Sequence, residues 1–152
     1  MKIQLTANQP QIKGYYWASP ENKEFKSPEE FYNCWNFCME SQCTVFYAPL
    51  ILDMFATPEI EQLIPRYAKL IKIGGKIILG GTDIYLLAQS AISRSKDLGT
   101  INNILFAKGY NIRSLTSIES TRKFLQTLKF TITKIDIDSN NFNYTIEAIK
   151  NA

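Results

Sequence analysis

An α/β fold, in which a mostly parallel sheet is flanked by helices, is predicted for this chain by two observations. Apolar runs typical of strands alternate along the chain with segments that carry the apolar spacing and start signals of helices. Near the end, alternating runs over Thr131–Ile137 and Phe142–Ile149 flank turn-forming residues, which predicts an antiparallel hairpin at the C-terminal edge of the sheet. The 152 residues show no repeat, and residues 1–152 are predicted to form one domain.

Two short strands are predicted at the start of the chain, at Lys2–Leu5 and Ile12–Trp17. The residues between them, Thr6–Pro10, hold no glycine, although many nucleotide-binding folds place a glycine-rich turn here. A helix is then predicted from Ser27 to about Gln42, because the serine can cap it and the proline and glutamates that follow suit a first turn.

The middle of the chain predicts a strand, a helix and a second strand. Thr44–Ala48 is β-branched and aromatic, as expected of a buried strand. The next helix should start at Thr57–Glu59, kink or break at Pro65 and stop at Gly74–Gly75. Lys76–Leu79 then forms a strand.

Helices dominate the predictions for the following segment. Gly80–Gly81 is expected to turn the chain, and helices are predicted over Asp83–Lys96 and Ile101–Lys108. A capping box that begins at Thr116 should open a further helix, which ends at about Leu128.

Composition limits the classes of function. Hydrophobic residues make up 45% of the chain and charged residues 20%, as in a globular protein. No apolar run is long enough for a membrane span and no secretory signal is visible at the start, so we expect a cytoplasmic protein without membrane contact. The net charge of +3 is mild, although Arg113, Arg122, Lys123 and Lys129 cluster in the sequence and leave a nucleic-acid surface open as an alternative.

Cysteine and histidine content restricts the chemistry. The spacing of Cys34, Cys38 and Cys43 fits neither a zinc knuckle nor a common iron–sulfur motif, and an odd count argues against a disulfide framework. We expect buried apolar thiols and no metal site. Without histidine, Ser–His and Cys–His nucleophiles are excluded, so catalysis would depend on carboxylates, lysine, tyrosine or substrate positioning.

Three segments follow one another at the ends of predicted elements. They are Leu52–Met54 after a strand, Lys72–Gly75 near a helix end, and Thr82–Asp83 after the next strand. In this order the chain resembles the short class I S-adenosylmethionine-dependent methyltransferases of bacteria and bacteriophages. Their corresponding segments are Leu-Glu-His, Lys-Pro-Gly-Gly and Pro-Asp. Lys129–Phe130 stands where that family has Gly-Phe, and the first two strands are also similar, so the resemblance covers nearly the whole chain. It implies a Rossmann-like methyltransferase fold.

The resemblance also implies where S-adenosylmethionine would bind. Seven residues would lie at the cofactor: Thr6, Ala7, Asn8, Ser19, Ala48, Pro49 and Asp53. The family has a glycine-rich first loop and an acidic residue that binds the ribose hydroxyls. It also has a third strand, which has no evident counterpart in this sequence. With Ser19 in place of the acid, we expect a loss on the order of 1–3 kcal/mol of binding free energy. In a shifted register Glu21 or Glu24 would supply this acid, while Asp83 is either a second site acid or a helix cap.

Three functions follow as hypotheses, and no catalytic residue is assigned. The leading one is a degenerate methyltransferase-fold protein that is not catalytic and acts through protein contacts, as a partner or assembly subunit or a homo-oligomer. It would be phage-encoded and located in the host cytoplasm, with an exposed aromatic patch involving Tyr15–Trp17. The alternatives are an active methyltransferase with an unconventional cofactor pocket and a nucleic-acid-binding module.

Overall fold

The computed structural model describes residues 1–7, 9–19 and 32–152. Six strands form one sheet: β1 (Lys2–Leu5), β2 (Tyr16–Ala18), β3 (Cys43–Ala48), β4 (Ile71–Thr82), β5 (Phe130–Asp138) and β6 (Asn143–Lys150). Four α-helices accompany the sheet: α1 (Thr57–Leu70), α2 (Ile84–Ser93), α3 (Leu98–Phe106) and α4 (Ile118–Thr127). Short 3-10 helices span Cys34–Asn36 and Ile51–Met54.

The sheet has the order β2-β1-β3-β4-β6-β5. Strand β1 is parallel to β2 and β3, and β3 is parallel to β4, whereas β6 runs antiparallel to both β4 and β5. The predicted fold class is therefore confirmed, including the C-terminal hairpin. Among the described residues, no helix is long and apolar enough to cross a membrane.

The core lies where α1 and α4 cover the sheet. Alternate residues of four strands are buried on this side: Ile3, Leu5, Phe46, Ala48, Ile77, Leu79, Ile146 and Ala148. Tyr67 of α1 stacks on Phe46 with ring centroids 4.9 Å apart, and its hydroxyl donates to the Tyr32 carbonyl oxygen at 2.8 Å. This pairing satisfies the one polar atom of a fully buried ring.

The segment before β3 differs from its prediction. Within residues 32–42 the structure has the 3-10 helix Cys34–Asn36 in place of the end of an α-helix, and the predicted start at Ser27 lies outside the described residues. Trp35 stacks near Tyr67 at 6.1 Å, whereas Phe37 stacks on Tyr16 at 4.1 Å. The two aromatic side chains thus pack on different elements, and these tertiary contacts override the local helix signal.

Both glycine predictions for this region were wrong, and the helix does not break at Pro65. Helix α1 continues through Pro65 and ends at Leu70, so Gly74–Gly75 lies inside β4, where Gly74 has a φ of 74°. Lys150 stabilises the helix end, because its ammonium donates to the carbonyl oxygens of residues 68 and 71 at 2.8 Å. Gly80–Gly81 also continues β4 and does not turn the chain.

Helix starts were predicted to within a few residues. Glu59 accepts the Ala56 N–H at 2.7 Å, so α1 is capped one residue earlier than expected. Asp83 caps α2, but α4 is capped by Ser117 and not by Thr116, whose hydroxyl instead lies 2.6 Å from the Tyr144 hydroxyl. The second strand is shorter than predicted and starts at Tyr16.

Candidate functional site

The candidate site lies where the connections of the sheet change direction. From β1 the chain passes to β2 on one side and then to β3 on the other, which makes the gap between β1 and β3 a topological switch point. Ligands of open α/β sheets bind outside the carboxyl ends of strands at such a point. A pocket of about 390 Å³ lies here, lined among others by Ala7, Gln9, Leu50, Lys108, Tyr110 and Asn143.

A buried carboxylate lies next to this pocket. Asp53 is fully buried, and its carboxylate accepts hydrogen bonds from the Thr82 N–H at 2.6 Å and the Thr82 hydroxyl at 2.7 Å. The Tyr110 hydroxyl donates to the same carboxylate at 3.1 Å, and the Asp53 carbonyl oxygen accepts the Arg113 N–H at 2.7 Å. These bonds join the segment after β3, the end of β4 and the loop after α3.

Lys108 supplies the cation of this cluster. Its ammonium donates to the Thr82 hydroxyl at 2.7 Å and the Asn143 side-chain oxygen at 2.6 Å, and lies 3.5 Å from the Asp53 carboxylate. Burial lowers the pKa of Lys108, while the Asp53 carboxylate opposes that shift. Burial is the main cause that raises the pKa of Tyr110, and the charge of Asp53 raises it further. The phenol therefore stays protonated and acts as a donor. The cluster therefore stabilises the pocket wall through bonds within the protein.

The loop after β1 is tied to its own strand by Gln4. This side chain is fully buried; its amide donates to the Thr6 hydroxyl at 3.0 Å and the Pro10 carbonyl oxygen at 2.9 Å. Its oxygen accepts the Ile12 N–H at 2.7 Å. These three bonds tie Thr6, Pro10 and Ile12 to the Gln4 side chain of β1.

The crossover from β1 to β2 has no helix among its described residues, 6–7 and 9–15. Parallel strands are usually joined by a crossover that contains a helix, and the N-terminus of such a helix provides N–H groups for anions. At this position the chain instead has the loop tied by Gln4 and a turn near Gly14.

The structure places the seven residues implied by the resemblance in different environments. Thr6, Ser19 and Ala48 are buried, and Ala7 lines the pocket at the switch point. Pro49 is half-buried at the end of β3 and lies outside that pocket's lining. Asp53 is in the buried cluster, while Asn8, Glu21 and Glu24 lie outside the described residues.

Among the described residues, these surroundings differ from the cofactor site that the resemblance implies. Ser19 is fully buried, so its hydroxyl is not presented to a ribose at the surface of the sheet. The loop that would receive the amino-acid end is held by Gln4, and Thr6 and Ala7 carry side chains where the family has glycine. The Asp53 carboxylate already accepts hydrogen bonds from Thr82 and Tyr110 and forms an ion pair with Lys108.

Several residues of the site were missed by sequence reasoning. Gln4 could have been found, because a polar side chain between apolar neighbours in a strand indicates a buried hydrogen-bonding role. Sequence reasoning had no such signal for Lys108, Tyr110 and Asn143. Their partners are distant in the chain: Tyr110 donates to Asp53, and Lys108 donates to Thr82 and Asn143.

The cysteines are buried thiols, as predicted, and form no disulfide within the described part of the chain. Burial raises the pKa of Cys43 to about 11 and also raises the pKa of Cys34, which makes both poor nucleophiles. In residues 1–7, 9–19 and 32–152, no group of three cysteine, aspartate or glutamate side chains could hold a metal ion.

The basic side chains of the C-terminal half are largely paired. Arg113 lies 2.8 Å from Glu59, while Arg122 and Lys123 lie 2.7 and 3.3 Å from Glu119. These carboxylates offset the positive charge that a nucleic-acid surface would use. The pairing therefore gives the nucleic-acid alternative no support.

Comparisons with known proteins find similarity in solved structures. No protein-family model and no curated protein sequence matches the chain. Among solved structures it is similar to a protein from Bordetella parapertussis described as a possible exported protein, with a TM-score of 0.57 and 18% identity. It is also similar to an S-adenosylmethionine-dependent methyltransferase from Methanosarcina mazei, with a TM-score of 0.52 and 13% identity.

These similarities show the fold alone. They cover 79% and 76% of this chain but only 43% and 62% of the two solved chains, so this chain spans less than two thirds of either neighbour. The chain has a Rossmann-like methyltransferase fold: a mostly parallel sheet flanked by helices, with an antiparallel C-terminal pair.

Replacing Gln4 tests how firmly the first loop is held. Gln4→Leu removes three hydrogen bonds and leaves the Ile12 N–H without its acceptor. We expect the free energy of unfolding to fall by about 1–3 kcal/mol and amide exchange over residues 6–15 to accelerate. Urea unfolding and hydrogen-exchange mass spectrometry would measure both effects.

Gln11→Leu is the matched control, since its exposed amide bonds the Tyr15 carbonyl oxygen at the surface. This variant should change the free energy of unfolding by no more than about 0.5 kcal/mol. Equal losses in the two variants would show that the Gln4 bonds do not hold the loop.

Proposed function

We propose that this chain is a methyltransferase-fold protein that transfers no methyl group itself and works through contacts with protein. On this proposal the scaffold serves as a partner or assembly subunit, consistent with the resemblance to small bacterial and bacteriophage methyltransferases. The fold is shared with an S-adenosylmethionine-dependent methyltransferase, whereas the loop Thr6–Pro10 after β1 holds no glycine and is tied by Gln4, unlike the loop that the resemblance implies.

One observation carries this proposal: the crossover from β1 to β2. A helix N-terminus beside a glycine-rich turn normally supplies both close backbone approach and N–H donors to a ligand. Here Gln4 ties a glycine-free loop across the end of β1, through contacts to Thr6, Pro10 and Ile12. Binding in the family's manner would require these three bonds to break, at about 1 kcal/mol for each bond.

The pocket at the switch point favours a second candidate, an active methyltransferase with an unconventional cofactor pocket. It has a volume of about 390 Å³ and is lined by the amide side chains of Gln9, Asn103 and Asn141 beside Lys108. Methyl transfer depends mainly on proximity and in-line orientation, so a rebuilt pocket would suffice. The buried bonds of Lys108 weigh against this candidate, because that cation already has protein partners.

Calorimetric titration with S-adenosylmethionine and S-adenosylhomocysteine tests the proposal. We expect no saturable heat up to millimolar ligand, which corresponds to a binding free energy weaker than about −4 kcal/mol. The Methanosarcina mazei methyltransferase, titrated in the same buffer, is the positive control.

A micromolar dissociation constant for either ligand would overturn the non-catalytic proposal in favour of the second candidate. In that case Ala7→Trp, which adds a large side chain to the lining of the switch-point pocket, should abolish the binding. A matched substitution outside this pocket, Ile73→Trp, should leave it intact because Ile73 is exposed on β4.

A further inference from the structure

The helical hairpin formed by α2 and α3 has an unusual surface. Neither helix contains a charged residue: Ile84–Ser93 reads IYLLAQSAIS and Leu98–Phe106 reads LGTINNILF. The charges of this segment, Arg94, Lys96 and Asp97, lie in the turn between the helices. Exposed helices of a monomer usually carry charged side chains on the solvent side, so this pair lacks a normal solvent face.

The same two helices expose large apolar side chains. Five of them are between 42% and 84% exposed: Ile84, Tyr85, Ile92, Leu98 and Phe106. Tyr85 and Ile92 are seven residues apart, which places them on one face of α2. Within the described part of the chain, Ser90 is the buried residue of α2 and Ile101 that of α3, so the hairpin contributes little to the core.

We propose that the α2–α3 hairpin is a dimer interface, which packs against the same hairpin of a second copy of this chain. Around a twofold axis the two hairpins would form a four-helix arrangement. This inference rests on the proposed function, since it names the partner of the protein contacts. Its own test is independent of cofactor binding.

The exposed area agrees with a dimer. The five apolar side chains together expose on the order of 700 Å², close to the roughly 800 Å² per partner of a standard interface. The aromatic side chains Tyr85 and Phe106 are of the type that anchors interfaces.

Charge favours a second copy over a membrane. In a twofold interface each patch meets itself, so any charge on it would face a like charge near the axis. A patch without charges avoids this repulsion and is self-complementary. A helix that lies on a membrane needs a strongly charged polar face, which neither α2 nor α3 has.

Sedimentation equilibrium of the whole chain tests this interface. We expect the wild-type protein to approach twice the 17.4 kDa chain mass at micromolar concentration. Tyr85→Lys and Ile92→Lys each place a charge in the apolar contact, so each should raise the dissociation constant at least about tenfold. Ile73→Lys introduces the same charge at an exposed isoleucine of β4 and should leave the dimer intact.

Hydrogen exchange on the wild-type chain provides a second readout that needs no variant. Amides over residues 84–106 should exchange more slowly at high than at low protein concentration, while those of α4 should not change. This pattern, together with the selective effect of the hairpin substitutions, would support the interface.

Three results would overturn it. A wild-type monomer at about 200 µM would mean that the hairpin does not form a dimer interface. A dimer that tolerates both hairpin substitutions would lie elsewhere, and one that is equally weakened by Ile73→Lys would not be specific to the hairpin. A dimer that also binds S-adenosylmethionine would contradict only the proposed lack of methyl transfer, and the interface would stand.

Discussion

Asp53→Asn is expected to lower the free energy of unfolding by about 3–5 kcal/mol, the largest electrostatic effect that we expect among the described residues. The substitution keeps the shape of the fully buried Asp53 side chain but removes its charge, which leaves the half-buried Lys108 ammonium without its counter-ion. The bonds from the Thr82 hydroxyl and the Tyr110 hydroxyl are weakened as well, because their acceptor loses its charge. Urea unfolding of the variant and wild type would measure the loss.

A double-mutant cycle separates this pair from general damage. Lys108→Met removes the cation that Asp53→Asn leaves unpaired, so the double variant should be more stable than the sum of the single losses predicts. We expect a coupling of about 1–3 kcal/mol. If the losses of unfolding free energy were additive, Asp53 and Lys108 would not act as a pair. Each would then stabilise the fold through its own hydrogen bonds.

Glu147→Gln is the matched control for the removal of a carboxylate charge. Glu147 pairs with Lys76 at 2.7 Å on the exposed side of β6, where water screens the charges. The free energy of unfolding of this variant should stay close to that of the wild type. A large fall in the free energy of unfolding of Glu147→Gln would mean that the loss of any carboxylate charge destabilises the protein, whether or not the carboxylate is buried.

Gly80→Ala is expected to lower the free energy of unfolding by about 3 kcal/mol or more, the largest steric effect among the glycines. A Cβ at this position would overlap the Tyr144 carbonyl oxygen and lie 3.0 Å from the Thr145 Cα. Both obstacles are backbone atoms of β6, which pairs with β4 in the middle of the sheet. The strands must therefore separate locally, and hydrogen bonds of the ladder would lengthen.

Gly74→Ala tests whether space or conformation sets this cost. A Cβ added at Gly74 would have no heavy atom within 4 Å, but the φ of 74° at this residue is unfavourable for alanine. This variant should lose about 1–2 kcal/mol, from backbone strain alone. If Gly80→Ala lowered the free energy of unfolding no more than Gly74→Ala does, the close approach of β4 and β6 would not contribute to the cost of the substitution.

The buried cluster has a consequence for how this fold is used. Asp53, Thr82 and Lys108 connect the ends of two strands to the loop after α3, at the edge where methyltransferase-like sheets bind ligands. In this chain the polar groups are satisfied by one another. Such a network favours a rigid scaffold over an open binding site, in agreement with a protein that acts through contacts.

Much of the fold could be predicted from local patterns. The alternating runs of Thr131–Ile137 and Phe142–Ile149 indicated the hairpin, and the Thr57–Glu59 start and the Asp83 start located the first residues of α1 and α2 to within a residue, although not their ends. These signals are local because capping and strand periodicity involve residues a few positions apart. The positions where the sequence departs from the family's cofactor motifs were also visible without a structure.

The sequence by itself therefore determined the α/β class, the order of most elements and the glycine-free first loop. Only the tertiary structure decided the partners of Asp53, because Lys108 and Tyr110 are more than fifty residues away in the chain. It also decided that Gly80 continues a strand, since the reason is the backbone of β6. Contacts between distant segments depend on how the whole core packs, and no local pattern records them.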